Sequence, residues 1–317
     1  MSIKLVELIL QLLIVGLATG AIYALIALGY TMVYGIIELI NFAHGDIFMI
    51  GTMAALTILN VLGVTVTSRP GGLALVGILI ITFVGTMLVC AVAGVIIERI
   101  AYRPLRNAPR LAPLISAIGV SLILGDLGKF WKGNTSVPFP QIFPETNYSV
   151  GGQTISGINI FLVVVALLLM ACLQWLVSKT RIGRAMRAVA QDREAAALMG
   201  VDVDRIISIT FFIGAALAGA AGVIYGLKYG NTVFSVGFEL GLIAFTAAVL
   251  GGIGNLAGAM VGGLVIGLVR SLVTLISDTI LPHGGDAWAN AIIFGILILI
   301  LVFRPSGILG QHTPEKV

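Results

Sequence analysis

Four polar side chains interrupt an otherwise apolar stretch at residues 29–51, GYTMVYGIIELINFAHGDIFMIG: Glu38, Asn41, His44 and Asp46. In a continuous lipid-facing helix these groups would be costly, so they are expected to face protein or water. Gly35 and Gly45 permit a broken segment, which is tolerable at membrane depth only where it lines a cavity or is buried. One reading makes the cluster a pathway or an interface between elements. The other makes Glu38 to Asp46 a short solvated loop at the membrane surface. Glu239, close to membrane depth, and Thr246, further along the same apolar run, join the pathway or interface candidates.

A second stretch is polar throughout: residues 180–205, TRIGRAMRAVAQDREAAALMGVDVDR. Residues 192–199 suit a short helix. Asp192 can cap its start, and Glu194 falls in the first turn, where the helix dipole favours a carboxylate. Gly200 is placed to end it. Ala195, Leu198 and Met199 give it an apolar face. Such a helix either lies on anionic lipid or fits a groove on a partner protein.

Enzyme chemistry finds little support. Gly128-Lys129 is followed by Phe130, so no phosphate-binding Walker loop is present. HExxH, CxxC and GxSxG are absent, and His44, His283 and His312 are scattered. Cys90 and Cys172 lie inside apolar runs and read as small hydrophobes rather than a disulfide or a metal pair.

The elements that carry these residues follow from composition. Apolar residues make up 59% of the 317 and charged residues 10%, with a mean hydropathy of +1.11. A soluble domain carries about 25% charged residues. A cytoplasmic globular protein, a disordered chain, a coiled coil and a nucleic-acid binder are excluded on this ground. Charge-free runs at 8–37, 47–68, 71–97, 158–177, 206–227 and 240–269 are long enough to cross a bilayer. The run 287–303 is slightly short, and 111–125 reads as a partial span. Gly251-Gly252-Ile253-Gly254-Asn255 divides 240–269 into two helices. The expected fold is all-α: a polytopic membrane bundle of eight or nine helices with short broken segments, forming one domain over 1–317. The first run is too long for a signal peptide and is expected to stay uncleaved.

Orientation follows from Lys and Arg. Segments 98–110 and 178–205 hold ten of the eighteen positive residues and are expected in the cytoplasm. Loop 129–157 then lies outside, and the C-terminus inside. Small residues at every fourth position, Gly214, Ala218, Gly222, Gly226 and Gly230, and again Gly254, Gly258 and Gly262, predict close helix packing. A short internal match pairs Gly16, Gly20 and Tyr23 with Ala218, Gly222 and Tyr225. Glu38 and Glu239 follow these tyrosines at similar distances. With nine spans the copies begin on opposite sides, a pattern compatible with an inverted repeat.

Several of these stretches resemble a known family in chain order. Residues 29–51 resemble the N-terminal signature of the branched-chain amino acid permeases of binding-protein-dependent ABC importers. RIGRAMRAVAQDREAAALMGVDVDR is similar to their cytoplasmic coupling loop, with a divergent EAA pattern at Glu194-Ala195-Ala196. FTAAVLGGIGNLAGAMVGG at 245–263 and FRPSGILG at 303–310 resemble later signatures. Asp192-Arg193-Glu194 departs from the Asn-Pro type start common in that loop. The resemblance implies coupling to an ATPase through Arg184, Asp192, Glu194, Ala195, Ala196, Met199 and Gly200. It also implies a second related permease, two ATP-binding subunits that carry ATP and Mg, and a periplasmic substrate-binding protein. No cofactor is expected in this chain, and the place is a bacterial inner membrane. The alternative from the residues alone is an ion-coupled secondary transporter, which would use Glu38, Asp46 and Glu239.

Overall fold

The computed structural model describes residues 2–106, 108–109, 111–144, 147–150, 153–280 and 285–310. His283 and His312 lie outside them. The described residues form eleven α-helices: α1 Ser2–Ile37, α2 His44–Val61, α3 Gly72–Ile97, α4 Leu111–Lys132, α5 Gly157–Lys179, α6 Arg181–Gln191, α7 Arg193–Leu198, α8 Val203–Tyr229, α9 Val236–Gly251, α10 Leu256–Ile280 and α11 Gly285–Phe303. Two strand pairs sit at helix ends. Strand β1 (Val137–Pro138) pairs with β4 (Asn231–Thr232), and β2 (Asn147–Val150) with β3 (Gln153–Ser156).

Seven helices are long and apolar enough to cross a membrane, and two shorter apolar ones, in α9 and α11, join them. The chain is a multi-pass helical bundle. The partial span read at 111–125 is corrected to a 22-residue helix, α4. The charge-free run stops before Asp126, yet Lys129 reaches back to Asp126 at 2.8 Å, so the charged turn stays helical. Helices α3, α4 and α5 turn large apolar side chains outward, among them Ile80, Leu88, Leu127 and Leu168. A bilayer accepts such faces; water would not.

Two long helices organise the interior. α1 runs antiparallel to α10, with Gly16 against Leu268 and Gly20 against Leu264. α8 runs antiparallel to α3 in the same manner, with Gly219 against Cys90 and Gly94 against Ala215. Each is followed by a six-residue break and a shorter helix: 38–43 before α2, and 230–235 before α9. Both breaks open with a left-handed residue, Glu38 at φ 54° and Gly230 at φ 68°. α2 and α9 then meet at their first turns, where a Cβ on Gly237 would lie 2.8 Å from the Gly45 carbonyl.

α1, α2 and α3 share the layout of α8, α9 and α10 run in the opposite sense, as an inverted repeat would: α1 and α8 cross antiparallel, with Thr19 meeting Lys228 and Gly29 meeting Gly214. The register differs from the sequence match. Equivalent break residues are 192 apart, His44 with Val236 and Glu38 with Gly230. The match of Gly16 with Ala218 is a 202-residue offset, so it pairs residues nearly three turns out of phase. Glu38 therefore corresponds to Gly230 and not to Glu239.

The expected small-residue faces divide into three uses. Gly214 approaches Gly29, and Gly222 approaches Gly51 and Thr52; Ala218 is wholly buried beside them. Gly258 sits on Gly251, and Gly262 on Ala247. Gly226 instead receives the Phe139 ring from loop 129–157. Gly230 and Gly254 are corrected from packing positions to left-handed turn residues, at φ 68° and φ 92°. At Gly254 the turn joins α9 to α10, and only glycine enters that conformation without a Cβ penalty.

The basic segments share one end of the bundle. Arg103 and Arg106 both pair with Asp204 at the start of α8, and Arg106 also pairs with Glu98, which is wholly buried. Ser208 donates to the same Glu98 at 2.7 Å. The C-terminal segment closes this end: Ile308 N–H donates to Leu250 at 2.8 Å, and Asn255 to the Leu309 carbonyl at 2.8 Å. The glycines of residues 251–254 and 307–310 are what allow backbones to approach so closely there.

Candidate functional site

The first break separates the polar cluster by depth. Glu38 is exposed and stays at the basic end. Residues 39–43 turn back into the bundle, so that His44 lies beside Gly29, eight residues up α1, or about 12 Å inside its end. A Cβ at Gly29 would fall on the His44 ring. His44 also meets Tyr30 edge-on at 4.8 Å. Asn41 is buried and accepts a hydrogen bond from the Tyr102 hydroxyl at 2.8 Å. Asp46, in the first turn of α2, is 4% exposed and accepts from Ser121 of α4 at 2.5 Å. The segment is therefore re-entrant: Asn41, His44 and Asp46 are buried, and of the four polar residues only Glu38 answers to the solvated-loop reading.

The second break is tied differently. β4 pairs with β1 of loop 129–157, and the Thr232 hydroxyl meets that of Thr52 on α2 at 2.5 Å. α9 begins against α2. Beside this crossing lies a cavity of about 310 Å³. Tyr30, Phe42, Ile118, Leu122, Phe238 and Leu242 line it, with Ser121, Gly237 and Gly241 between them.

The remaining pathway candidates do not converge on that cavity. Glu239 is exposed and accepts from Asn290 of α11 at 3.1 Å, and Asn290 in turn accepts from Arg270 of α10 at 3.0 Å. Thr246 is wholly buried and returns its hydroxyl to the Leu242 carbonyl at 2.9 Å, so it serves helix packing rather than a cavity wall.

At the basic end, the short helix expected over 192–199 is α7, capped by Asp192, and a further helix, α6, precedes it. Asp192 accepts from the amides of Glu194 and Ala195, both at 3.0 Å, as an N-cap should. Gly200, at φ 84°, ends α7. α6 buries Gly183, Met186 and Val189 and leaves Arg184 exposed. α7 buries only Ala196. Leu198 and Met199 are 88% and 84% exposed, and Ala195 and Glu194 are exposed beside them. The apolar face of α7 is thus presented outward from the chain. Arg193 points the other way, and its guanidinium donates twice to the Ile36 carbonyl, at 3.2 and 2.7 Å. It caps the end of α1 immediately before the first break. A cavity of about 480 Å³ lies there, lined in part by Glu38, Arg106, Arg193 and Glu194.

Sequence reasoning missed Ser121, Arg193, Glu98 and the Arg270–Asn290 pair. An arginine inside a predicted span is a readable signal. A lone serine in an apolar run is not.

The sequence profile described as "Branched-chain amino acid transport system / permease component" matches residues 12–302. The high-affinity branched-chain amino acid transport system permease protein BraD of Pseudomonas aeruginosa is 43% identical over 312 residues, covering 97% of this chain and 98% of that protein. The corresponding permease protein LivH of Escherichia coli K12 is 41% identical over 315 residues, 97% of each. A probable branched-chain amino acid permease LivH of Methanocaldococcus jannaschii is 29% identical over 296 residues, 90% of this chain and 88% of that one. Bundle, re-entrant breaks and outward-facing α7 are thus set in a sequence that matches these relatives over most of its length, and the chain belongs to the permease components of branched-chain amino acid transport systems.

Proposed function

We propose that this chain is a translocation subunit of an ATP-driven importer that moves leucine, isoleucine and valine across a bacterial inner membrane. It works with a second related permease, two ATP-binding subunits and a periplasmic substrate-binding protein. ATP and Mg bind on the ATPase subunits, and this chain carries no cofactor of its own. The basic end faces the cytoplasm, which the arginine bias supports. Loop 129–157 faces outward, toward the binding protein, and the C-terminus inward.

The observation that carries the reading is α7. An apolar pair standing out from a basic surface, Leu198 and Met199, is the form of a knob that fits a groove on another subunit. A lipid-lying helix would share the pattern. What favours the partner is the second attachment: Arg193 ties α7 to the end of α1, so a push on the knob reaches the first break. ATP binding and hydrolysis would rock the bundle between outward- and inward-open states through this contact.

Reconstitution of the chain with its second permease and ATPase subunits tests the reading. Leucine uptake should require both ATP and the binding protein. Uptake by this chain alone, driven by an ion gradient and indifferent to ATP, would replace the importer with a secondary transporter.

A further inference from the structure

Asp46 is a carboxylate held deep in the bundle without a cation. Ser121 donates to it, and among the described residues no Lys, Arg or His lies within ion-pair distance. The start of α2 offers a partial positive charge of about half an elementary unit. That compensates the carboxylate only in part, and an unpaired charge at this depth is expensive.

The neighbouring cavity fits the missing partner. Ser121 both binds Asp46 and forms part of the cavity wall. Gly237 forms another part, and a Cβ there would stand 2.9 Å from the Asp46 carboxylate. The absence of that side chain leaves the wall thin beside the charge. Tyr30, Phe42, Phe238 and Leu242 make the rest apolar. At about 310 Å³ the space reaches the lower bound of small-molecule sites, roughly 300–1,000 Å³. Asp46 stands behind Ser121 and Gly237 rather than in the wall itself, and the far side is open at Leu122 and Phe238. An anion at the edge of an apolar hollow suits a ligand with an ammonium group on a branched hydrocarbon body.

We propose that this cavity is the transit site for the amino acid, with Asp46 as the counter-charge of the substrate ammonium and Phe42, Phe238 and Leu242 against its side chain. The inference rests on the importer reading and adds to it the residues that receive the substrate between the binding protein and the cytoplasm. The competing role for Asp46 is a mechanical tie from α2 to α4 through Ser121.

The assembled complex in proteoliposomes, with saturating binding protein, separates these roles by the leucine imported per ATP hydrolysed. Asp46→Asn should lower that ratio about tenfold or more while stimulated hydrolysis stays within about twofold. Ser121→Ala perturbs the wall but keeps the carboxylate, so it should lower the ratio at least about threefold less than Asp46→Asn does. An unchanged ratio in Asp46→Asn overturns the proposal. So does a parallel loss of uptake and hydrolysis in both variants, which is the signature of a helix tie. Phe238→Cys removes dependence on folding, because the exposed thiol is alkylated with a bulky maleimide after assembly. Uptake should stop while hydrolysis continues, and uptake that survives complete modification overturns the site. Failure of the unmodified wild-type complex to import leucine with ATP would sink the importer reading instead.

Discussion

The two helix breaks share a backbone and differ in chemistry. Each spans six residues, opens in the left-handed region, and delivers a half-helix whose first turns rest on a glycine of the other. The first is filled with buried polar groups, Asn41, His44 and Asp46, and is held by Tyr102, Ser121 and Arg193 from three separate elements. The second places Val236, Gly237 and Phe238 at the matching helix start and is held by a strand pair and one threonine contact. The difference teaches that break length and glycine contact set the geometry, while the buried polar groups are concentrated on the break that α7 touches.

The shared geometry is the first part to challenge, and the effect should be the largest. Valine at Gly45 would meet the Gly237 carbonyl and the Gly241 backbone; valine at Gly237 would meet the Gly45 carbonyl and Met49. The obstructing atoms are mostly backbone, so they cannot swing aside. Overpacking of this kind costs about 1–3 kcal/mol or more, and both variants should lose most of their folded protein in membranes. Abundance and thermal melting in detergent would show it. Normal accumulation of either variant would break the claim that both breaks depend on one glycine crossing.

The difference between the breaks predicts a smaller, asymmetric effect. Arg193→Ala removes the link from α7 to the Ile36 carbonyl and touches no span interior. Leucine uptake should fall about tenfold while stimulated ATP hydrolysis persists. Thr232→Val at the second break removes only the Thr52 contact. Thr52 keeps its bond to the Met49 carbonyl at 2.8 Å, so the cost should be within about 1 kcal/mol. Uptake should stay within about twofold. Equal losses in the two variants would mean that α7 does not act through the first break.

Much of this architecture was legible before the structure, and the exceptions have physical causes. Hydropathy finds the membrane helices, because a bilayer demands long apolar runs, but it stops α4 short at Asp126 and is silent on the polar α6. The Gly251–Asn255 cluster announces the α9–α10 turn because it needs positive φ at Gly252 and Gly254. The polar residues of 38–46 announce the first break, since buried charge in a membrane asks for a reason. The second break is nearly silent: it lies in an apolar-to-small sequence, and Gly230 reads as one more small residue in a packing row. The repeat was suspected from the wrong register. An inverted pair conserves backbone contacts, which many side chains can make, and so leaves little sequence echo. At the coupling loop the caps Asp192 and Gly200 were legible because capping is local chemistry. The grip of Arg193 on Ile36 spans 157 positions in sequence and leaves no local mark.

The smallest effect probes the openings of the two breaks, where the repeat places different residues in one conformation. A left-handed backbone costs a side-chain-bearing residue roughly 1–2 kcal/mol, and glycine almost nothing. Glu38 bears that cost at φ 54°; Gly230 escapes it at φ 68°. Glu38→Gly should therefore raise the melting temperature in detergent, and Gly230→Ala should lower it. At roughly 2.1 cal/mol/K of unfolding entropy per residue, a change near 1 kcal/mol moves the midpoint by about 1–2 °C in a chain of this length. At Gly230 the added Cβ would lie 3.2 Å from Gln141 Nε2, the far end of a side chain that can give way, so the strain should come from φ rather than from contact. Opposite signs would show that the two openings are geometrically equivalent and chemically unequal. A fall in both would mean that the Glu38 side chain contributes more at the basic end than its backbone strain costs. The informative combination is a more stable Glu38→Gly protein with slower uptake. Strain kept at that residue would then belong to the switching of the first break, because a relaxed hinge holds one state too well.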